Sequence, residues 1–336
     1  MSERLSEDLS GRLRGAGLDP HAVADIAAAA LAEDLAGGTD ITTGAIIAPD
    51  AVARAEVVAR AGGVVAGLAV AEAVFQITAA GAGPLGSRAH ASDGSPGTAV
   101  RASGGSGNSP PARAPGGSIA LQARAVDGGR VHRGDVLLTV AGPLTAILAA
   151  ERTALNLLCH LSGIATLTRR WVDAVEGTGA RIRDTRKTLP GLRALEKYAV
   201  RCGGGVNHRM SLSDAALIKD NHVAAAGSVA AAFAAVRSRA AGFPIEVECD
   251  TLDQVDEAVR AGADLILLDN FTIPAMADAV RLARGRARLE ASGGLSLEHA
   301  REVAMTGVDY LAVGALTHSA PALDIALDLA PVPGMH

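Results

Sequence analysis

Six basic side chains between residues 152 and 219 have the types and spacing of an anion-binding site. The six are Arg152, Arg186, Lys187, His208, Arg209 and Lys219. An arginine presents a planar pair of donors to a carboxylate or phosphate, and a lysine presents a compact charge. Because the chain carries a net charge of -5, basic residues brought together would form a local trap for anions rather than part of a generally basic surface. On the segment that follows Lys187, we expect Arg193, Lys197 and Arg201 to be solvated surface charges.

Acidic side chains occur at the ends of neighbouring apolar runs. Glu248 lies in IEVECD, Asp269 lies in LILLDN, and Glu290 follows in LEASGG. Two such carboxylates can hold Mg²⁺, which prefers oxygen ligands. They can equally bind sugar hydroxyls and stabilise a cationic sugar transition state, or pair with neighbouring lysines and arginines as structural ion pairs. The spacing leaves these three interpretations open.

Glycines follow two further apolar runs and could expose backbone donors. Ser292, Gly293 and Gly294 are consecutive, and Gly314 occupies the corresponding place in YLAVGA. A turn of this kind at the start of a helix is a common phosphate-binding site. Glycine also serves tight turns that bind nothing. His318 could add a donor, or it could simply lie at the start of a helix.

The elements that must position these residues are six apolar runs, each followed by an Ala/Leu-rich segment with helical periodicity. The runs begin the segments 181–187, 216–222, 245–250, 265–270, 289–294 and 310–315. Repeated strand–helix units indicate a parallel sheet, and their even spacing favours its closure into a barrel. In such barrels the active site lies at the carboxyl ends of the strands. This placement would gather the basic, acidic and glycine positions at one mouth.

The residues before the barrel have a different pattern, which predicts a first domain. We expect a helix over 20–36 and a long helix over 143–176 broken near Ser162 and Gly163, together with strands over 53–60, 63–68, 120–126 and 136–142. A Gly/Pro/Ser-rich stretch over 83–118 interrupts this domain and cannot bury enough apolar surface to order itself, so we interpret it as a flexible insert. The tail over 317–329 has a helical pattern and could return to the first domain. The expected division is 1–160, 161–316 and a C-terminal helical tail, 317–336, packed on the N-terminal domain.

Composition excludes several classes of protein. The negative net charge argues against non-specific nucleic-acid binding, and no apolar run approaches the roughly 20 residues that cross a bilayer. The first residues are charged and lack an apolar core, so we expect no signal peptide. Three widely spaced cysteines are interpreted as reduced thiols. We therefore expect a soluble, cytoplasmic protein without nucleic-acid or membrane partners.

The motifs together resemble the quinolinate phosphoribosyltransferase family, over nearly the whole chain outside 83–118. The resemblance is carried by EDLAGGTDITT (33–43), AERTALNLLCHLSGIATLT (150–168), DTRKTLPGLRALEKYAVRCGGGVNHRM (184–210), ALIKDNH (216–222), EVECD (246–250), LILLDNF (265–271), EASGGLS (290–296) and YLAVGALTHS (310–319). A single one of these motifs would mean little, but the ordered set is highly specific.

The resemblance implies an α/β fold, with an N-terminal α/β sandwich domain and a C-terminal TIM-like α/β barrel that has an incomplete strand set. It implies a homodimer whose active sites lie between subunits, with further assembly left open. The implied reaction transfers the phosphoribosyl group of phosphoribosyl pyrophosphate (PRPP) to quinolinate with decarboxylation. The products would be nicotinate mononucleotide, pyrophosphate and carbon dioxide, in de novo NAD biosynthesis.

The resemblance also implies roles for individual residues. Quinolinate would be held by Arg186, His208, Arg209, Lys219 and the Arg152 of the other subunit. PRPP would be held by Lys187, Glu248, Asp269, Ser292, Gly293, Gly314 and His318. The catalytic residues would be Lys187, Glu248 and Asp269. Glu248 and Asp269 would also bind the Mg²⁺ cofactor, directly or through water.

Three alternatives stay open on the sequence. The first is a Schiff-base lyase of the aldolase kind, with Lys219 as the covalent nucleophile. The second is a phosphoribosyltransferase for nicotinate or another acid, which has less need for both Arg186 and the His208–Arg209 pair. The third is a barrel-shaped binding or scaffold protein without turnover.

Overall fold

A computed structural model of the chain describes residues 5–81 and 119–330. The predicted insert over 83–118 lies outside the described residues. The helices are α1 (Glu7–Gly15), α2 (Pro20–Leu35), α3 (Ile41–Ile46), α4 (Leu68–Ala80), α5 (Leu144–Ala174), α6 (Arg193–Cys202), α7 (Asp220–Ala226), α8 (Val229–Arg239), α9 (Leu252–Ala261), α10 (Ile273–Ala283), α11 (Ala300–Ala304) and α12 (Ala315–His318), with a 3₁₀ turn at Leu297–His299. The strands are β1 (Val52–Ala59), β2 (Gly63–Val64), β3 (Ala120–Ala123), β4 (Arg130–Val131), β5 (Val136–Pro143), β6 (Arg181–Arg183), β7 (Ala216–Ile218), β8 (Ile245–Cys249), β9 (Leu265–Asp269), β10 (Arg288–Ser292), β11 (Tyr310–Ala312) and β12 (Ile325–Leu329).

The six strands predicted for the second half are all present and form one parallel sheet. Their order is β6-β11-β10-β9-β8-β7, and every pairing in it is parallel. Within the described chain, β6 and β7 are the two ends of this sheet, which is short of the full set of an α/β barrel. The prediction of a C-terminal α/β region with an incomplete strand set is confirmed.

Short connections hold the carboxyl ends of the central strands in place. Only two residues separate β8 from α9, and three separate β9 from α10. Thr251 caps α9 by accepting the N–H of Gln254, and Thr272 caps α10 by accepting the N–H of Ala275. A capped helix that begins directly after a buried strand leaves the strand-end side chain little freedom to move.

The first half of the chain builds an antiparallel sheet covered by helices. The strand order is β12-β1-β5-β3, and its pairings are antiparallel. Helix α4 packs against both α2 and α5. The prediction of an N-terminal α/β domain is confirmed. The predicted strand over 63–68 is only partly correct, because β2 ends at Val64 and α4 begins at Leu68.

Helix α5 is continuous, so the predicted break near Ser162 and Gly163 is wrong. Both residues lie buried within the helix. The Ser162 hydroxyl accepts the N–H of Ala66. A Cβ on Gly163 would overlap the carbonyl oxygen of Pro321. Here glycine permits a close approach of two segments rather than ending a helix.

The C-terminal segment corrects a second prediction. Residues Ile325–Leu329 form β12, a strand paired antiparallel with β1 from Ala55↔Leu329 to Ala59↔Ile325. The predicted helical tail is therefore wrong for this stretch, and up to residue 330 the tail contains one helix, the short α12. Pairing with the edge of β1 gives these five residues inter-strand backbone hydrogen bonds, whereas an isolated helix of this length would be marginally stable.

In the described part of the chain, no helix combines the length and the apolar character needed to cross a membrane.

Candidate active site

The carboxyl ends of the six parallel strands bring most of the predicted site residues to one edge of the sheet. Register pairs place Asp269 beside Ser292 and Glu248 beside Leu267. Following the strand order, the edge carries in turn Arg186 and Lys187 after β6, Gly314 and His318 after β11, Ser292 and Gly293 at β10, Asp269 at β9, Glu248 at β8 and Lys219 after β7. We call this edge the mouth.

Lys187, Gly314 and His318 meet at one corner of the mouth. A Cβ on Gly314 would lie 3.1 Å from Lys187 Cδ and 3.2 Å from His318 Nε2. Thr317 Oγ1 donates to the carbonyl oxygen of Lys187 at 2.7 Å, which ties the loop after β6 to the start of α12. An ammonium, an imidazole and a glycine turn at the start of α12 together give this corner donors for an anion.

The turn at Gly293 requires glycine for two reasons. Its φ is +88°, in the left-handed region that favours glycine. A Cβ there would overlap Asn270 Oδ1. Asn270 itself has a φ of +55°, and its N–H donates to the Ser292 carbonyl at 2.9 Å. The ends of β9 and β10 are therefore fitted closely to each other beside Asp269.

The two acidic residues of the mouth have different partners. Lys219 Nζ donates to Glu248 Oε2 at 2.6 Å, with the Lys219 side chain 47% and the Glu248 side chain 14% exposed. Asp269 Oδ2 accepts the side-chain amide of Asn270 at 2.8 Å. Carboxylates on neighbouring strand ends are the donors that Mg²⁺ prefers when water and substrate oxygens complete its shell. The donor set fits that ion.

Arg186 and Arg209 form the cationic centre of the mouth. The Nε atom of each is buried and has no hydrogen-bond partner in the part of the chain that the structure describes. Burial lowers the pKa of the Arg209 guanidinium, and the charge of Arg186 lowers it further, against the opposing charges of Asp214 and Glu246. Arg209 Nη1 donates to the carbonyl of Ala215 at 2.8 Å. Two like charges held together with unsatisfied donors are arranged for an anion.

His208 lies beneath this centre rather than in it. Its ring is 8% exposed, and Nδ1 accepts the N–H of Arg209 at 2.7 Å. Because Nδ1 accepts, the ring proton resides on Nε2, which lies 2.7 Å from Glu246 Oε2. This tautomer is neutral. His208 therefore fixes the backbone of Arg209 and does not add a positive charge to the mouth.

The structure places Glu290 inside the barrel, fully buried, and not at the mouth where its sequence position suggested it. It shares this interior with Arg183 and Glu246, which sequence reasoning missed. Glu246 lies two residues before Glu248 on β8, and side chains two apart on a strand share a face. That spacing was a signal that a second carboxylate lies directly below the first.

The expectation that Lys197 is a surface charge is wrong. Its side chain is fully buried, and Nζ donates to Asp184 and, at 2.9 Å, to the carbonyl of His208. Asp184 also accepts the N–H of His208 at 2.8 Å and the side-chain amide of Asn207. Burial raises the pKa of Asp184 against the effect of Lys197, and burial lowers the pKa of Lys197 against the effect of Asp184. This buried pair joins the loop after β6 to the loop that carries His208 and Arg209.

Arg152 is not part of the group formed by the strand ends. It is exposed on α5. Within the described residues it makes no hydrogen bond or ion pair with any residue of the mouth.

Comparison with known proteins links this geometry to a family. A model of the quinolinate phosphoribosyl transferase C-terminal domain matches residues 164–328, and the corresponding N-terminal domain model matches residues 117–162. The chain is 50% identical over 303 residues to the nicotinate-nucleotide pyrophosphorylase [carboxylating] of Mycobacterium leprae, covering 89% of this chain and 94% of that protein. It is 36% identical to quinolinate phosphoribosyltransferase [decarboxylating] 1b of Nicotiana tabacum, covering 89% of this chain and 80% of that protein.

A solved structure extends the likeness to the fold. The crystal structure of NadC from Streptococcus pyogenes superposes with a TM-score of 0.79 at 36% identity, covering 93% of this chain and 98% of that one.

Proposed function

The chain belongs to the quinolinate phosphoribosyltransferase family, and on that basis we propose that it transfers the phosphoribosyl group of PRPP to quinolinate with decarboxylation. The products would be nicotinate mononucleotide, pyrophosphate and carbon dioxide. The observation that carries the proposal is the meeting of Arg186 and Arg209, with unsatisfied buried donors, beside the acidic strand ends of Glu248 and Asp269. One mouth therefore offers donors for anionic groups and acceptors for sugar hydroxyls or a metal.

Quinolinate would occupy the cationic part of the mouth. It carries two adjacent carboxylates, and arginine forks suit such groups because each can donate two parallel hydrogen bonds. Arg186 and Arg209 have the donors for this, and Lys219 adds a charge at the far end of the sheet edge. His208 supports the pocket from below by fixing the backbone of Arg209.

PRPP would occupy the rest of the strand-end edge. The corner of Lys187, Gly314 and His318 and the turn at Ser292 and Gly293 offer donors to its phosphate groups. Backbone N–H groups at strand-to-helix turns are well suited to phosphate because they are fixed and need no side-chain ordering. The sugar would then lie over Glu248 and Asp269.

Glu248 and Asp269 would hold Mg²⁺, which when bound neutralises pyrophosphate charge as that group departs. The same carboxylates can stabilise positive charge on the sugar carbon as its bond to pyrophosphate breaks. Lys219, which contacts Glu248 in the structure, would be released from that pair when its anionic ligand or the cation arrives.

The reaction then needs mostly positioning and electrostatics from the protein. Pyrophosphate leaves, the sugar carbon becomes oxocarbenium-like, and the pyridine nitrogen attacks it. The pyridinium then accepts the electron pair of the bond to the adjacent carboxylate, which leaves as carbon dioxide, and the ring carbon takes up a proton from water. Because both substrates are anions, the side chains of Arg186, Arg209 and Lys187 must offset their mutual repulsion before the reacting atoms can meet.

The pairing of Lys219 disfavours the lyase alternative. A Schiff-base lysine reacts as a neutral amine, which is produced by an apolar pocket or by another cation. Lys219 instead lies 2.6 Å from a carboxylate oxygen of Glu248 and is 47% exposed. Neither feature is the apolar or cationic surrounding that such a lysine needs.

We also propose that the working unit is a homodimer in the cytoplasm, in which Arg152 completes the active site of the partner subunit. Its exposure on α5 leaves it free to reach another chain. The cysteines Cys159, Cys202 and Cys249 are free thiols, as is usual in a reducing compartment.

The direct test is incubation of the protein with quinolinate, PRPP and Mg²⁺, with detection of carbon dioxide and nicotinate mononucleotide. Parallel reactions omit PRPP or replace quinolinate with nicotinate. Formation of both products only in the complete mixture supports the proposal. Equal turnover of nicotinate, or no turnover of either acid, contradicts it.

A further inference from the structure

A buried layer of charged and polar groups lies directly beneath the mouth. It consists of Arg183 on β6, His208 on the loop before β7, Glu246 on β8 and Glu290 on β10. Arg183 Nη1 donates to Glu290 Oε2 at 2.5 Å and lies 3.9 Å from Glu246 Oε1. The Arg183 guanidinium also lies over the Tyr310 ring of β11, 4.9 Å from its centre.

The charges of this layer do not balance when both carboxyl groups are ionised. His208 is in its neutral form because Nδ1 accepts the N–H of Arg209. One guanidinium would then face two carboxylates, of which Glu246 is 3% and Glu290 0% exposed. An uncompensated charge in such a place is costly. The unsatisfied atoms are visible, since Oε1 of Glu246 and Oε1 of Glu290 are buried and have no hydrogen-bond partner among the described residues.

A metal ion is a poor way to supply the missing positive charge. Ligand atoms of His208, Glu246 and Glu290 lie within 4.8 Å of one another, which is the spacing of a metal site. However, a histidine binds a metal through a free ring lone pair. Nδ1 of His208 is occupied by the Arg209 N–H, and Nε2 carries the proton that faces Glu246.

A proton balances the layer without these conflicts. We propose that Glu290 is a positioning residue that carries a proton when the substrates bind, so that the layer beneath the mouth is electrically neutral. This inference rests on the proposed function. The protonated carboxyl group is a donor, and a carboxylate oxygen of Glu246, which can accept, lies within 4.8 Å of it. Burial and the charge of Glu246 raise the pKa of Glu290 to about 7, against the opposing charge of Arg183.

The proton has a consequence for the mouth above. Glu246 already acts electrostatically on Arg209, so charge in the buried layer is felt by the anion-binding arginines. When pH rises and Glu290 ionises, a second negative charge appears below the site and opposes the binding of a dianionic acid. Arg183, Tyr310, His208 and Glu246 are the titratable and charged groups that face Glu290 from the surrounding elements.

The test compares quinolinate binding by the wild type and Glu290→Gln across pH, using titration calorimetry. The amide keeps the shape of the protonated acid but cannot ionise. Between about pH 6 and about pH 8.5, we expect wild-type affinity to fall about tenfold, because ionised Glu290 adds a buried negative charge below the bound dianion. The affinity of Glu290→Gln should change much less and should match the wild type at the lower pH. Parallel pH profiles, or weak binding by the variant at both pH values, would overturn the inference.

Glu72→Gln is the matched control, because Glu72 is also a buried glutamate paired with an arginine but lies in the first domain. It should retain the wild-type pH profile of binding. Turnover is measured separately, so that absence of any product from the wild type counts against the proposed function alone. Parallel pH profiles in an active enzyme count against the role of Glu290 alone.

A measurement on the unmutated protein covers the case in which Glu290→Gln fails to fold. Carboxyl carbon resonances of ¹³C-labelled glutamate should include one group that titrates near the value of about 7 expected for Glu290. If every glutamate carboxyl group titrates in the ordinary acidic range, the inference is wrong.

Discussion

Individual residues in the mouth act through donors that the folded chain leaves unsatisfied. The Nε atoms of Arg186 and Arg209 are buried without partners in the described structure, although most buried polar groups in proteins are paired. A planar guanidinium and a compact ammonium therefore should not be equivalent at these positions. This gives a test that distinguishes shape from charge.

Arg186→Lys should raise the KM for quinolinate about 10- to 100-fold while changing the KM for PRPP little, because the charge stays but the planar fork is lost. Steady-state kinetics with each substrate varied in turn measures both constants. Arg181→Lys is the matched control: Arg181 is the first residue of β6, the strand before the loop that carries Arg186, and its side chain is exposed. An unchanged KM for quinolinate in Arg186→Lys would show that only charge matters there.

Gly293→Ala should destabilise the protein by about 1–3 kcal/mol, since the new Cβ is strained at positive φ and also meets Asn270. The KM for PRPP should rise in parallel. Gly294→Ala separates the two causes: Gly294 has a φ of +63° but nothing within 4 Å of its Cβ position. Urea unfolding of both variants provides the comparison. Equal losses in the two variants would mean that contact with Asn270 contributes nothing.

At this scale the sequence indicated which residues mark the strand ends, but not which of them are exposed. Arg186, Lys187, Glu248, Asp269 and Lys219 follow apolar runs, so their position at the sheet edge follows from strand periodicity. Burial depends on the neighbouring strands, whose order is not written in any one segment. The alternation of Glu246 with Glu248 could have been used to predict a buried acid below the mouth.

At the scale of elements, the position of the cationic loops depends on one buried pair. Lys197 on α6 contacts Asp184 after β6, and both also contact the backbone of His208. The pair therefore joins α6 to the two loops that carry Arg186, Lys187 and Arg209. Sequence reasoning missed it because Asp184 and Lys197 are 13 residues apart and lie in different elements, so no helical or strand spacing relates them.

Lys197→Met should lower the free energy of unfolding by about 3–5 kcal/mol, because it leaves the Asp184 carboxylate buried without its cation. Adding Asp184→Asn to this variant should recover part of the loss, since the unpaired charge is then removed. Chemical denaturation of the two variants and the wild type measures the difference. A double variant that is less stable than Lys197→Met would contradict this account of the pair.

The strands of the second half were predictable and the last strand of the chain was not. Each barrel strand is a short apolar run that a helix follows, and this pattern has few other interpretations. The residues of β12 read IALDL, with apolar spacing that suits a helix or a strand equally. The choice is made by the open edge of β1, which lies more than 260 residues earlier in the chain.

At the scale of the whole molecule, the role proposed for Arg152 requires a second copy of the chain. Within the described residues it makes no hydrogen bond or ion pair with the mouth, yet the family resemblance assigns it to quinolinate. When two subunits share their active sites, the activity of a mixed dimer of two variants depends on which site each defect falls in. Two defects that fall in the same site of a mixed dimer leave its other site intact.

Arg152→Ala and Lys219→Ala should each be inactive as pure dimers, and mixing the two after dissociation should restore about a quarter of wild-type activity. Half of the random dimers are mixed, and each mixed dimer has one intact site of two. The control mixes Arg186→Ala with Lys219→Ala, whose residues share one subunit's mouth, and it should restore nothing. Light scattering verifies that dimers persist. Full activity of Arg152→Ala alone, or no recovery in the first mixture, would contradict a shared site.

Helix α5 runs without interruption from Leu144 to Ala174 and packs on elements of both halves of the chain. At about 1.5 Å per residue it is a beam roughly 46 Å long. Sharp bends in helices arise at proline, at Gly/Ser pairs, at irregular turns or where a group enters the hydrogen-bond ladder. The Ser162–Gly163 pair is the candidate for such a bend in α5, and Gly163 lies tightly against Pro321 of the returning tail. Helix α5 therefore has no kink that could act as a hinge between the two halves of the chain. We therefore expect substrate entry and product release to involve the short loops around the mouth rather than bending of α5.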